Sequence, residues 1–111
     1  MKKLSNLSRS IEGKVVFITG AGNGMGRATA KLFAEYGAKI AASDLNESAV
    51  SETVEQILQA ECEAKAWQLD VTDAQAIESC ITEAVLSYGG IDVLINNAGV
   101  SLRTPIDDED Y

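Results

Sequence analysis

Residues 15–26 read Val-Val-Phe-Ile-Thr-Gly-Ala-Gly-Asn-Gly-Met-Gly, an apolar run that leads directly into a cluster of glycines. After the cluster, apolar residues return at the three- and four-residue spacing of an α-helix. A strand, a glycine turn and a helix in this order suit the binding of a pyrophosphate. Glycines let the backbone approach the anion, and the helix N-terminus aims free N–H groups at it. The stretch therefore predicts a dinucleotide-binding turn.

The spacing of these glycines excludes two common nucleotide motifs. In the pattern G-x-G-x-x-G the third glycine would fall on Met25 or on Arg27, depending on which pair of glycines begins it. The mononucleotide P-loop requires Gly-Lys followed by Ser or Thr, and no such sequence follows the turn. The spacing that fits is T-G-x(3)-G-x-G, which begins at Thr19 and ends at Gly26.

This spacing resembles the glycine motif of the short-chain dehydrogenase/reductase family. A glycine cluster alone is often a plain turn, but further matches to the family follow along the chain. The resemblance implies an oxidoreductase that transfers a hydride between NAD and an alcohol or carbonyl substrate. It assigns cofactor binding in this stretch to Gly20, Asn23, Gly24, Met25 and Gly26.

Asp44 closes the second apolar run, about 20 residues beyond the glycine turn. A carboxylate at this place can accept hydrogen bonds from the ribose hydroxyls of a dinucleotide and repels a 2′-phosphate. Asn23 favours the same cofactor, because relatives that prefer NADP often carry a basic residue before the second motif glycine. We therefore predict NAD rather than NADP, with Asp44 and Leu45 at the cofactor. The alternative is an aspartate that caps a helix or a turn.

Asp70 and Val71 form the next match, directly after the run of residues 64–69. By resemblance this pair borders the adenine, with the carboxylate at the exocyclic amine and the next backbone N–H at a ring nitrogen. Without the resemblance the same residues would be an ordinary strand-to-helix cap. Thr72 and Gln75 have the spacing of a capping box, which predicts Thr72 as the N-cap of the following helix.

The quartet Asn96-Asn97-Ala98-Gly99 follows the apolar run of residues 91–95. It is the most specific local signature of the family in this half of the fold. The resemblance assigns Asn97 to the cofactor ribose and to a tie between neighbouring strands. It implies that Ala98 and Gly99 permit a close approach that a larger side chain would block. Alone, the quartet would be a loop, since Asn and Gly favour turns.

Between the motifs the chain alternates strands and helices. The strand runs are nearly continuously apolar, which is typical of parallel strands covered on both faces. The spacing predicts that the first helix buries Met25, Ala28, Thr29, Leu32, Phe33 and Tyr36 and leaves Arg27, Lys31 and Glu35 in water. Gly89 and Gly90 are predicted to stop the third helix. The order β-α-β-α-β-α-β predicts an α/β fold, a doubly wound parallel sheet of the Rossmann type, truncated after the fourth strand. The resemblance implies the strand order 3-2-1-4.

Composition fits one folded unit. The chain has 111 residues and a net charge of −8, which disfavours binding to nucleic acid or to anionic membranes. We predict a flexible N-terminal tail over residues 1–12 and a partial NAD(P)-binding Rossmann domain over residues 13–111.

No apolar run approaches the length of a membrane span and the N-terminus has no apolar h-region, so a cytoplasmic protein is expected. Cys62 and Cys80 are interpreted as free core thiols, and no metal site is predicted.

The catalytic residues of the family are missing from this sequence. Family members use a Tyr-x-x-x-Lys pair and an upstream serine, with the tyrosine as general acid and base. The residues four positions beyond Tyr36 and Tyr88 are Ile40 and Asp92, Tyr111 is the last residue, and there is no histidine. Because the resemblance covers only the first half of a typical member, we expect an inactive N-terminal fragment. Its full-length form would be a homo-oligomer acting on an unidentified alcohol or carbonyl. The alternative is a non-catalytic dinucleotide-binding or regulatory module.

Overall fold

The computed structural model describes residues 11–97, which form a parallel four-stranded sheet with helices on both faces. In chain order the elements are β1 (Val15–Thr19), α1 (Gly24–Glu35), β2 (Lys39–Asp44), α2 (Glu47–Gln59), β3 (Ala64–Gln68), α3 (Ala74–Tyr88) and β4 (Val93–Asn96). The strands lie in the order β3-β2-β1-β4, and every neighbouring pair is parallel. Within the described residues, no helix is both long enough and apolar enough to cross a membrane. The predicted α/β fold and its strand order are confirmed.

β1 lies inside the sheet, and all five of its residues are buried. Successive side chains of a strand point to opposite faces, so this strand contributes to two cores. Val16 and Ile18 pack beneath α1 and α2, whereas Phe17 packs beneath α3. The outer strands β3 and β4 are more exposed. The prediction that both faces of the strands are covered is therefore confirmed for β1 and β2. It is wrong for β3 and β4, the two outer strands of the described sheet.

Helix α1 buries a different face from the one that its apolar spacing predicts. Its buried residues are the small ones, Gly26, Ala30 and Ala34, whereas Met25 is 75% and Leu32 45% exposed. These small residues recur every fourth position, so they share one face and let the helix lie close to the sheet. The prediction for Met25, Ala28 and Leu32, which are all exposed, is wrong because close approach, rather than side-chain size, selects the buried face.

Helix α3 begins at a different cap from the predicted one. Its N-cap is Asp73, whose Oδ1 accepts two backbone N–H groups of the first turn, both at 3.1 Å. Thr72 instead donates its hydroxyl to Asp70. The predicted capping box is wrong by one residue, since the Asp73 carboxylate satisfies the open N–H groups itself. At the other end Gly89 stops the helix with a φ of 87°, as predicted.

Ile11, at the start of the described residues, packs in the hydrophobic core. Ile11 is 8% exposed and packs in the core beneath α1 and α2. Its carbonyl oxygen accepts the N–H of Lys14, and Gly13 donates its N–H to the carbonyl of Gly37, both at 2.9 Å. The described core therefore includes Ile11, which the sequence places in the tail.

The two cysteines differ in burial, which predicts different rates of alkylation. Cys80 on α3 is 5% exposed, and burial together with the charge of Glu83 raises its thiol pKa to about 11. Cys62 is half-buried. Because the thiolate is the reactive form and burial limits access to it, a thiol reagent at mildly alkaline pH should modify Cys80 at least about tenfold more slowly than Cys62. Peptide mass mapping after timed labelling measures both rates, and equal rates would contradict this packing of α3.

Candidate dinucleotide-binding site

The glycine turn connects the carboxyl end of β1 to the amino end of α1. Gly20 and Gly24 have φ angles of 68° and 58°, in the left-handed region that glycine enters without steric cost. A Cβ at Gly24 would meet no atom within 4 Å, so this glycine borders open space. A Cβ at Gly26 would overlap the carbonyl oxygen of Gly20 and lie 2.7 Å from its carbon. Gly24 thus leaves open space in front of the turn. Gly26 lets α1 pack directly against the backbone of Gly20.

The first turn of α1 leaves its backbone N–H groups without a side-chain cap. The N-cap residue Asn23 has an extended backbone, and its side chain makes no capping hydrogen bond. The N-cap residues of α2 and α3, Asn46 and Asp73, do accept such bonds. Asn23, Gly24 and Met25 are exposed. The start of α1 is therefore available to an anion, which the positive end of the helix dipole favours.

Asp44 ends β2 beside the turn, and both of its carboxylate oxygens accept backbone hydrogen bonds. Oδ2 accepts the N–H of Gly22 at 2.8 Å, and Oδ1 accepts the N–H of Asn46 at 2.9 Å. A Cβ at Gly22 would lie 2.8 Å from Oδ2, so this contact requires glycine there. Asn46, not Asp44, is the N-cap of α2, so Asp44 is not a helix cap but does organise a turn. The half-buried carboxylate keeps acceptor capacity for a ligand.

Asp70 follows β3 and is exposed. Its Oδ1 accepts the hydroxyl of Thr72 at 2.7 Å and the N–H of Thr72 at 2.9 Å. These two hydrogen bonds lower the pKa of the Asp70 carboxyl, because both stabilise its charged form. Val71 is partly buried and packs against the core beneath α3. The pair therefore combines an exposed charged oxygen with an anchored backbone.

The asparagines at the end of β4 tie this strand to β1. Thr19 donates its hydroxyl to Oδ1 of Asn96 at 2.8 Å, and Asn97 donates its backbone N–H to the carbonyl of Thr19 at 3.3 Å. The resemblance assigns the tie to Asn97, which contributes its backbone N–H, and Asn96 adds a side-chain hydrogen bond beside it. Nδ2 of Asn97 is buried and has no acceptor within residues 11–97. Ala98 and Gly99 lie outside the described residues.

The parallel topology brings these groups to one edge of the sheet. The glycine turn follows β1, Asp44 ends β2, Asp70 follows β3 and Asn97 follows β4, so all four lie at carboxyl ends of strands. Open α/β sheets bind ligands at this edge, at the point where the strand order reverses. That point lies between β1 and β4, because α1 and α3 cover opposite faces. No cluster of three or more His, Cys, Asp or Glu suited to a metal occurs in the described part of the chain.

Sequence reasoning missed the polar side chains that hold the turn from behind. Thr53 of α2 is fully buried and donates its hydroxyl to the carbonyl of Ala21 at 2.8 Å. Ser43 of β2 is also fully buried and donates to the carbonyl of Ile18 at 3.0 Å. The prediction that Arg27 faces water is wrong, since it is half-buried and donates to Thr53. The sequence feature that could have indicated this support is Thr53 itself, a polar residue on the apolar face of α2.

Comparison with known proteins agrees with the glycine spacing. The family model described as short chain dehydrogenase matches residues 14–110. The chain is similar to the 2,5-dichloro-2,5-cyclohexadiene-1,4-diol dehydrogenase LinX of Sphingobium indicum, with 43% identity over 94 residues. This match covers 85% of the chain and 38% of LinX, so the chain spans well under half the length of that relative.

Two solved structures resemble the fold and carry different cofactors. A short-chain dehydrogenase/reductase from Burkholderia phymatum in complex with NAD matches with a TM-score of 0.74 and 33% identity, over 76% of this chain and 30% of that one. A metagenomic short-chain oxidoreductase in complex with NADP matches with a TM-score of 0.77 and 31% identity, over 81% of this chain and 41% of that one. Together with the family-model match over nearly the whole sequence, these likenesses show that the chain belongs to the short-chain dehydrogenase family.

Proposed function

We propose that this chain forms the NAD-binding part of an oxidoreductase that transfers a hydride between NAD and an alcohol or carbonyl substrate. The observation that carries the proposal is the carboxylate of Asp44, held 2.8 Å from the N–H of Gly22 beside an uncapped helix start. Bound NAD would supply the hydride acceptor or donor. The residues of this chain have the task of binding and orienting it.

The start of α1 suits the pyrophosphate. Gly24 borders the space that the anion would fill, because a Cβ there meets no atom within 4 Å. The uncapped N–H groups of Gly24, Met25 and Gly26 would face the phosphate oxygens. The helix dipole favours a negative charge at an exposed N-terminus by roughly 0.3–1 kcal/mol. Gly20 allows the tight turn that delivers these groups to the anion.

Asp44 supports NAD over NADP. The acceptor capacity that remains after its two backbone bonds can bind ribose hydroxyls, and its negative charge repels a 2′-phosphate. Asn23 adds no positive charge that would attract that phosphate. The solved neighbours include one complex with each cofactor, so the preference rests on Asp44 and Asn23.

The remaining predicted residues extend the proposed site along the same edge. Asp70 and Val71 would border the adenine, with the 63%-exposed side chain of Leu45 as an apolar neighbour. A buried donor without a partner costs about 1–3 kcal/mol. Nδ2 of Asn97 is such a donor, and a ribose oxygen of the cofactor would accept its hydrogen bond. The close-approach role of Ala98 and Gly99 stays part of the proposal.

Asp44→Ala is expected to weaken NAD binding about ten- to a hundredfold and to reduce the rejection of NADP. The variant loses charge-assisted hydrogen bonds to the ribose, which contribute roughly 1.5–3 kcal/mol. Isothermal titration calorimetry with each dinucleotide measures the change. Asp92→Ala is the matched control, because Asp92 also accepts a backbone N–H, from Val15 at 2.8 Å, but at the opposite end of β1. An unchanged ratio of NAD to NADP affinity in Asp44→Ala would refute the assignment.

A non-catalytic dinucleotide-binding or regulatory module is a second candidate. It requires only the groups that could bind a dinucleotide, which the described residues supply at Asp44 and at the uncapped start of α1. Both candidates predict NAD binding by these 111 residues, and they differ in whether the residues belong to a longer, catalytic protein. Sequencing the transcript beyond the codon for Tyr111 separates them. A continuing reading frame that encodes a Tyr-x-x-x-Lys pair supports the oxidoreductase, and a stop codon in a stable transcript supports the module.

We also propose a cytoplasmic location and a homo-oligomeric catalytic form. The location is supported by two free thiols, Cys62 and Cys80, since free thiols are typical of reducing compartments. The homo-oligomer rests on the family resemblance, and the substrate class is proposed on the same ground.

A further inference from the structure

The hydroxyl of Thr53 bonds directly to the backbone of the glycine turn from behind. Thr53 of α2 is fully buried, and its Oγ1 donates to the carbonyl of Ala21 at 2.8 Å, with the carbonyl of Gly22 at 3.3 Å. On the other side, Ala21 donates its N–H to the carbonyl of Ser43 at 2.9 Å. Ala21 follows the first glycine of the turn, and both of its backbone polar groups are therefore fixed.

Arg27 of α1 completes this network. Its Nε donates to Oγ1 of Thr53 at 2.8 Å, and a terminal nitrogen donates to the carbonyl of Ala49 at 3.0 Å. The guanidinium also lies 3.6 Å from the carboxylate of Glu52, whose side chain is 63% exposed. One side chain from the start of α1 thus contacts three residues of α2. Hydrogen bonds of Thr53 and Arg27 therefore connect the glycine turn, α1 and α2.

From this geometry we infer that Thr53 and Arg27 are positioning residues for the dinucleotide. They hold the turn so that its N–H groups face the pyrophosphate while Asp44 faces the ribose; the inference rests on the proposed dinucleotide binding. Neither side chain needs to touch the cofactor. A turn that is already ordered loses less conformational entropy on binding, so fixing Ala21 raises affinity without a new contact.

A role in packing alone is the competing explanation, and an isosteric change separates the two. Thr53→Val keeps the shape of the side chain and removes the hydroxyl. It leaves the carbonyl of Ala21 and Nε of Arg27 without this partner. Thr53→Ser keeps the hydroxyl and removes a methyl group. A packing role favours valine over serine at a fully buried position, whereas a positioning role favours serine.

The test uses the full 111-residue chain and two readouts. The first is amide hydrogen exchange of Ala21 and Gly22 without ligand, and the second is NAD affinity by calorimetry. Thr53→Val should speed exchange of these two amides about tenfold relative to the amides of β1. It should also weaken NAD binding about tenfold, which corresponds to about 1.4 kcal/mol. Thr53→Ser should restore both values, and Ile57→Val, a small core loss in the same helix, should change neither.

Arg27→Lys tests the second residue, because lysine keeps the charge and lacks the Nε donor. It should show the same faster exchange of Ala21 and Gly22. The double variant with Thr53→Val should lose no more NAD affinity than the worse single variant, since both changes remove the same hydrogen bond. Additive losses would overturn the shared role.

Unchanged exchange in Thr53→Val, or a failure of Thr53→Ser to restore it, would overturn the inference. Failure of the wild-type chain to bind NAD would count against the proposed function. In that case the exchange of Ala21 and Gly22 still decides whether Thr53 and Arg27 fix the turn. The two failures are therefore distinguishable.

Discussion

Gly24→Val is expected to abolish NAD binding, with a loss of at least about a hundredfold in affinity, or about 2.8 kcal/mol. Gly24 lies at the start of α1, where an added Cβ enters open space. The valine side chain would fill the place that we propose for the pyrophosphate and would cover the uncapped N–H groups. The new Cβ would meet no atom of the protein within 4 Å. Titration calorimetry with NAD measures the loss.

The same substitution strains the backbone, so it needs a control with equal strain. Gly24 has a φ of 58°, and a side chain in the left-handed region costs roughly 1–2 kcal/mol. Gly89 has a φ of 87°, and a Cβ there also meets no atom within 4 Å, but it lies at the C-terminus of α3. Gly24→Val and Gly89→Val should lower Tm by similar amounts. Equal NAD affinity in the two variants would show that the pyrophosphate does not lie at Gly24.

Gly26→Ala is expected to destabilise the fold by about 3 kcal/mol and to remove NAD binding with it. The sign of this change in stability is informative. At an exposed helical position alanine has the higher helix propensity and would stabilise the fold by up to about 1 kcal/mol. Here the new Cβ would overlap the carbonyl oxygen of Gly20 and lie 3.1 Å from Cα of Ala21. Both neighbours are backbone, so the helix or the turn must move. Thermal unfolding followed by circular dichroism measures the change.

Ala28→Gly is the control for this substitution within the same helix. Ala28 is exposed, so its replacement should cost only about 1 kcal/mol through helix propensity and should leave NAD affinity unchanged. A Gly26→Ala variant as stable as the wild type would mean that α1 does not rest on Gly20.

The positions of the proposed site residues were predictable because each depends on a local pattern. The spacing from Thr19 to Gly26 identifies the turn, and Asp44 and Asp70 each stand at the end of an apolar run. Once the strands are parallel, such residues meet at one edge of the sheet, whatever the details of packing. The fold and this arrangement therefore followed from sequence.

The support behind the turn was not predictable in the same way. Arg27 meets Thr53 across 26 positions of sequence, and Thr53 meets Ala21 across 32. Periodicity identifies a helix but not the partner of a polar side chain on it. For α1, the apolar pattern also pointed to the wrong face, since Gly26 must lie against Gly20 and this contact fixes the rotation of the helix.

β1 meets its two neighbours across very different lengths of chain. Val16 pairs with Ile40 of β2 and with Val93 of β4. The second pairing closes a loop about three times as long, at an extra entropic cost of about 1 kcal/mol. The glycine turn lies within the shorter loop, Asp44 ends β2 directly after it, and Thr53 lies on the following helix α2. During synthesis from the N-terminus, the glycine turn that we propose as the pyrophosphate site is therefore expected to assemble early, and β4 to join a sheet that already contains this turn.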